Sequence, residues 1–188
     1  EEAGVDIVAG DTKVVERGAA DAIFITTCGI GSIPDGLVIS GSAARPGDAV
    51  IISGTVGDHG ATILSRREGM EFDVELKSDC APLGGLVAAM LKASDRIHTL
   101  RDPTRGGVAG VLNEIATASS IDIEIKEDSI PYRSEVRAAC ELLGLDPLVL
   151  ANEGKLVAFV PDEEADAMLD AMKNHPLGAE AALIGRAG

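Results

Sequence analysis

Short apolar runs alternate along this chain with stretches of helical periodicity, and that alternation predicts its elements. Asp48-Ala49-Val50-Ile51-Ile52-Ser53 is a continuous apolar run, the pattern of an interior strand covered on both faces. Further strands are expected near Ile97–Leu100, Ile121–Ile125, Leu156–Val160 and Ala182–Ile184. Ile121, Ile123 and Ile125 alternate with Asp122, Glu124 and Lys126, so that strand has one wet face. Gly85–Ala93 is apolar all round and reads as a buried helix. Val108, Val111, Leu112 and Ile115 fall at i, i+3, i+4, i+7, the stripe of a helix packed on one side. Val136, Ala139, Cys140 and Leu143 repeat that spacing, as do Ala165, Met168, Leu169 and Met172.

Ahead of these elements, Val5 to Gly10 reads as a buried strand and Asp21 to Ile33 as a second, β-branched and punctuated by glycine. Because a strand pattern begins almost at the first residue, without an initiator Met, the chain is expected to be cut from a longer one. The small-residue stretch Gly41–Gly47 marks a domain boundary, with residues 1–42 ending one domain and 43–188 forming another. There is no internal repeat and no low-complexity tract. Interleaved strands and helices give an α/β (α+β) class, a mixed sheet covered by helices.

Composition narrows the picture. Hydrophobic residues make up 46% and charged residues 25%, which favours a packed core over disorder. Aromatics are only 2%, so the core is built from aliphatic side chains. A net charge of -15 argues against nucleic acid, whose phosphates need clustered Lys and Arg. A nucleotide stays possible, because backbone amides, a few cations and a metal ion hold phosphate in an acidic protein. Three distant cysteines, Cys28, Cys80 and Cys140, suggest neither a disulfide framework nor a zinc site, and fit a reducing cytoplasm. No apolar run is long enough for a membrane span.

Four segments carry possible chemistry, each with a plain structural alternative. Gly10-Asp11-Thr12-Lys13 follows a strand; Asp11 and Thr12 suit a magnesium ion and Lys13 suits phosphate, while an ordinary turn explains the same residues. It lacks the glycines of a Walker loop. Arg101-Asp102-Pro103-Thr104-Arg105-Gly106-Gly107 joins a strand to a helix start, where free amides and two glycines make an anion site. The alternative there is Thr104 as helix cap and Asp102 as turn former. Asn152-Glu153-Gly154-Lys155 sets a carboxylate at the mouth of a strand, as a general base or a solvated turn. Ser53 to Gly60 carries three glycines, read as a tight loop or as close packing. His59, His98 and His175 have no ligand partner at a metal spacing and receive no role. Cys140 lies on an apolar stripe, Cys28 within an apolar run, and Cys80 before a Pro; none has a His adjacent in sequence.

GDTKVV at 10–15, SGTVGDHG at 53–60, LKSDCAPL at 76–83, RDPTRGG at 101–107 and ANEGKLVAFVP at 151–161 together resemble the HypE family of hydrogenase maturation proteins. That family belongs to the superfamily of aminoimidazole ribonucleotide synthetase, selenophosphate synthetase and thiamine-monophosphate kinase. The resemblance implies a two-domain fold of the aminoimidazole-ribonucleotide-synthetase type, an N-terminal dimerisation and ATP-binding domain and a C-terminal α/β domain that covers the site. Residues 1–42 would be the end of the first domain and 43–188 the second. It also implies ATP-dependent dehydration of a thiocarbamate, loaded by HypF onto the family's C-terminal cysteine, to a thiocyanate. The cyano group would pass to iron held by a HypC–HypD complex. Carried onto this sequence, Asp11 and Thr12 resemble contributors to the Mg-ATP site, with Asp11 a ligand of Mg2+. Lys13 resembles a phosphate-neutralising or proton-handling residue, and Glu153 a base, with Asn152 beside it as a residue of the ATP site. Asp102, Thr104 and Arg105 resemble one wall of the ATP cleft. The family's N-terminal acidic metal ligands and C-terminal cysteine tail have no counterpart in these 188 residues, so the piece is expected to be inactive alone. Two other readings fit: a related ATP-dependent small-molecule phosphotransferase, and a non-catalytic docking module for maturation partners.

Overall fold

The computed structural model describes residues 2–69 and 76–188. It divides into two units, residues 1–37 and 38–188. The first carries neither helix nor strand among its described residues, and residues 2–36 are exposed. The strands expected at 5–10 and 21–33 are therefore not formed. Their composition suits a ladder, but no described segment pairs with their N–H and C=O groups, and a strand without a neighbour is not stable. Val5, Ile7, Val8, Ile23, Phe24, Ile25 and Ile30 stay exposed.

The second unit contains a five-stranded sheet. Its strands are β1 (Asp48–Ile52), β2 (Thr99–Arg101), β3 (Ile123–Ile125), β4 (Val157–Pro161) and β5 (Ala182–Ala187), in the order β2-β4-β1-β5-β3. Every pairing is antiparallel, where a mixed sheet was expected. The apolar runs specify burial on two faces but carry no signal for strand direction. β1 is central, and all five of its residues are buried.

Alternation sends β1 and β4 side chains to two cores. Val50, Ile52, Val157 and Phe159 pack on one face against Val108, Val111, Leu112 and Ile115 of helix α3 (Gly107–Ser119). Ala49, Ile51, Ala158 and Val160 pack on the other against α2 (Gly84–Ala93) and α5 (Ala165–Lys173). The stripes expected of α3 and α5 face these cores. α2 is not buried all round: only Leu86 and Met90 are fully covered, because the helix lies on the outside of the sheet and its Ala and Lys positions meet solvent. A third, smaller core joins α4 (Ser134–Leu143) to α1 (Asp58–Arg67) through Val136, Ala139, Cys140 and Ala61. α1 was not expected: only its first three residues, 58–60, fall in the segment read as a tight loop. It is polar, so the apolar stripe is faint; its charge pattern, Asp58 in the first turn and Arg66 and Arg67 in the last, is the signal that favours a helix there.

Residues 38–44 belong to this second unit. Ser40 N donates to the His98 carbonyl (3.1 Å), and Thr99 Oγ1 donates to the Ser40 carbonyl (2.7 Å). His98 meets buried Asp48 (2.9 Å), and His175 Nδ1 accepts from Leu177 N (3.2 Å), so both histidines have local structural partners. Among the described residues no helix is long and apolar enough to cross a membrane.

Candidate functional site

The register Ile52↔Val157 and Arg101↔Val157 brings the ends of β1 and β2 to the start of β4. Three glycine-containing loops therefore meet at one end of the sheet: 53–57, 102–106 and 151–156. Asn152 joins them. Its side chain is fully buried; Oδ1 accepts from Gly57 N (2.8 Å), and Nδ2 donates to the carbonyls of Pro103 and Leu150 (3.1 Å each). Its backbone N also donates to Pro103 O (3.1 Å). All three amide functions are thus committed inside the protein.

Next in the chain, Glu153 is exposed, and its main chain is held from the other side by Asp79. Glu153 N donates to Asp79 Oδ1 (3.1 Å), Gly154 N to Oδ2 (3.3 Å) and Lys155 Nζ to Oδ2 (3.2 Å). The Asp79 side chain is 1% exposed and that of Lys155 11%. Gly154 is required here, because a Cβ would overlap the Asp79 carbonyl oxygen. Asp79, Cys80, Lys155, Gly154, Ser53 and Arg133 are among the residues lining a cavity of about 260 Å³ beside this turn.

The start of α1 adds buried charge. Asp58 is 1% exposed; its Oδ2 accepts from Thr55 Oγ1 (2.5 Å) and lies 3.5 Å from Arg133 Nε, while Oδ1 has no hydrogen-bond partner. His59 Nδ1 is 2.9 Å from Ser78 Oγ and 3.8 Å from Cys80 Sγ. The sequence sets these residues about twenty positions apart, so Cys80 showed no neighbouring histidine; the fold supplies one. Cys140 is the buried thiol expected, and burial pushes its pKa up.

In the loop after β2, Arg101 pairs with Glu114 (3.1 Å) and lies 3.6 Å from Asp102. Asp102 and Arg105 are exposed and Thr104 is half-buried. Thr104 does not cap α3: the cap is Gly106, at φ 78, with no side-chain bond. Gly107 follows at φ 62, where a Cβ would overlap the carbonyls of Leu148 and Leu150, so this pair of glycines sets how closely the helix start approaches 148–150. The first unit holds Asp11, Thr12 and Lys13, all exposed, with Thr12 N donating to Asp11 Oδ1 (2.8 Å).

The described residues contain no group of three His, Cys, Asp or Glu side chains able to hold a metal. Asp11 offers a single carboxylate, which falls short of an octahedral magnesium site on its own. Asp79, Asp58 and the His59–Cys80 contact escaped sequence reasoning. SDC and GDH both lie within motifs quoted above, yet nothing in their spacing says that the two loops touch.

Comparison with known proteins places this arrangement. A carbamoyl dehydratase HypE from Rhizobium leguminosarum bv. viciae is 62% identical over 185 residues, covering 98% of this chain and 53% of that protein. The chain thus spans about half the length of the curated relatives it matches. A solved HypE in complex with ATP superposes with a TM-score of 0.76 at 50% identity, over 79% of this chain and 44% of that one. A HypE–HypF complex gives a TM-score of 0.78 at 47% identity, over 80% of this chain and 49% of that one. The model of the AIR synthase related protein, C-terminal domain, matches residues 45–188, a span that contains the whole loop cluster around Asn152, and the chain belongs to that family.

Proposed function

We propose that this chain forms part of an ATP-dependent carbamoyl dehydratase that makes cyanide for the iron of nickel–iron hydrogenase. Its substrate would be a thiocarbamate on a cysteine of the protein's own C-terminal tail, and its product a thiocyanate. One observation carries the reading: Glu153 is an exposed carboxylate whose backbone is gripped on both sides by buried side chains, Asn152 and Asp79. A solvated turn has no need of two buried polar residues to fix it, whereas a base must be held at a set place. The names of the relatives, and the ATP bound to one of them, support the chemistry.

An amide oxygen is a poor leaving group. Attack of the carboxamide oxygen on the γ-phosphorus, with departure of ADP, turns it into a good one. Loss of phosphate and of both nitrogen protons then leaves the nitrile, for a net loss of one water. In this reading Glu153 takes a proton from nitrogen, and Lys13 neutralises phosphate charge. Asp11, Thr12, Asp102, Thr104 and Arg105 contact the nucleotide, and Mg2+ would supply charge neutralisation on its phosphates. Asp11 provides at most one ligand to that ion, so no step here depends on it. Asn152 serves by holding the loops rather than by touching ATP. Residues 1–37 would belong to a dimerisation and ATP-binding domain and 38–188 to the C-terminal domain, a boundary five residues earlier than the sequence suggests. HypF would load the carbamoyl group, a HypC–HypD complex would accept cyanide, and the protein would act as a cytoplasmic homodimer.

The test uses the full-length gene product, carbamoylated by HypF, mixed with Mg-ATP and followed by mass spectrometry. The tail adduct is expected to lose one water, and Lys13→Ala and Glu153→Gln are expected to abolish that loss. An unchanged adduct in the unmutated protein would replace the dehydratase with a docking module. Loss of water in all three would keep the reaction and discard the two residues.

A further inference from the structure

From the buried clamp around residues 153–155, we infer that Asp79 is a positioning residue for the reaction, fixing the Glu153 base from a separate loop. This rests on the assignment of Glu153 above. A buried carboxylate is costly unless its oxygens are paired. Here three donors meet it, and all come from one turn: the amides of Glu153 and Gly154 and the ammonium of Lys155. Asn152, one residue earlier, is anchored to two other loops. The α-carbon of Glu153 is thus held from both sides while its carboxylate remains exposed.

Three further features show that the contact is built. The main chains of 79 and 154 approach so closely that only glycine fits at 154. The stem of Lys155 lies over Gly54, where a Cβ would come within 2.9 Å of Lys155 Cε. The same side chains, Asp79 and Lys155, border the cavity of about 260 Å³ next to the turn. Loss of the Asp79 carboxylate leaves the ATP contacts intact and lets the base drift. A shift of about 1 Å at a reacting group lowers the rate by roughly 100-fold.

The experiment uses full-length, carbamoylated protein in single turnover with ATP. Asp79→Asn and the smaller Asp79→Ser are measured beside Glu153→Gln, with rates taken per ATP-binding site so that unfolded molecules drop out. Both Asp79 variants are expected to lower the dehydration rate by about 10- to 100-fold with the KM for ATP unchanged within about twofold. Amide hydrogen exchange at residues 153 and 154 should rise in them, and elsewhere stay as in the unmutated protein. Glu153→Gln should be inactive. If Glu153→Gln is inactive and both Asp79 variants keep the full rate, the base stands and the positioning role falls. Should Glu153→Gln dehydrate normally, both assignments fall together. If neither Asp79 variant binds ATP, or exchange rises throughout the chain, Asp79 is a general folding residue and the inference is overturned.

Discussion

Tyr132 is the single tyrosine in the chain, and its surroundings give it a measurable titration. Partial burial pushes its pKa from 10.0 up to about 12, with the carboxylates of Asp146 and Glu127 adding to the rise. The Arg137 guanidinium, 5.0 Å from the ring centre, works the other way but is outweighed. The native state therefore keeps the phenol neutral where the unfolded state has already lost its proton. The associated stability is complete below pH 10 and disappears as pH rises toward about 12. Phenolate absorbance of the folded chain, minus that of Tyr132→Phe, is expected to show a midpoint well above 10; a midpoint at 10 would show that the ring is fully solvated. Single residues were the least legible feature of the sequence. Glu153 stands out as a candidate because it lies beside a glycine before a strand. Asp79 was not, since its partners lie more than seventy positions away and a lone Asp in SDC reads as a surface turn.

Elements were legible where periodicity is strong. The helices α2 to α5, three of them by their apolar stripes, and the five strands of the second unit were placed within a few residues, because each buries apolar side chains in a regular pattern. α1 was missed because it is polar, and the patterns at 5–10 and 21–33 misled because β-branched residues form a strand only with a partner. What joins the elements is Asn152, whose three side-chain hydrogen bonds hold the loops after β1 and β2 to the loop before β4. Asn152→Ala leaves Gly57 N and the Leu150 carbonyl short of a partner, while the Pro103 carbonyl keeps the backbone N–H of residue 152. Each buried polar group so stranded costs about 1–3 kcal/mol, which gives an expected loss of about 3 kcal/mol for the two together with some relaxation. Denaturant unfolding measures it. A loss below about 0.5 kcal/mol, the usual range of a surface substitution, would mean that the loops hold one another without it.

At the scale of the whole chain, stability and the proposed chemistry are divided unequally between the two units. Every buried residue among those described lies at Ala44 or beyond, and all three apolar cores are drawn from there. Asp11, Thr12 and Lys13, by contrast, lie in the first unit. The second unit has a sheet covered on both faces, and its length of about 150 residues is that of a common independent domain. Removal of residues 1–37 takes away no core side chain, so residues 38–188 are expected to fold alone and cooperatively. Their melting midpoint should fall within about 4 °C of the longer chain's, the shift that roughly 1 kcal/mol produces at this size. They should retain the protected amides at 153 and 154, which depend only on Asp79, while losing whatever nucleotide affinity Asp11, Thr12 and Lys13 provide. A midpoint far lower, or a broad transition, would show that the exposed apolar residues at 5–33 support the second unit in solution. In that case the division of labour between the units would be false, and the clamp on Glu153 would depend on the whole chain.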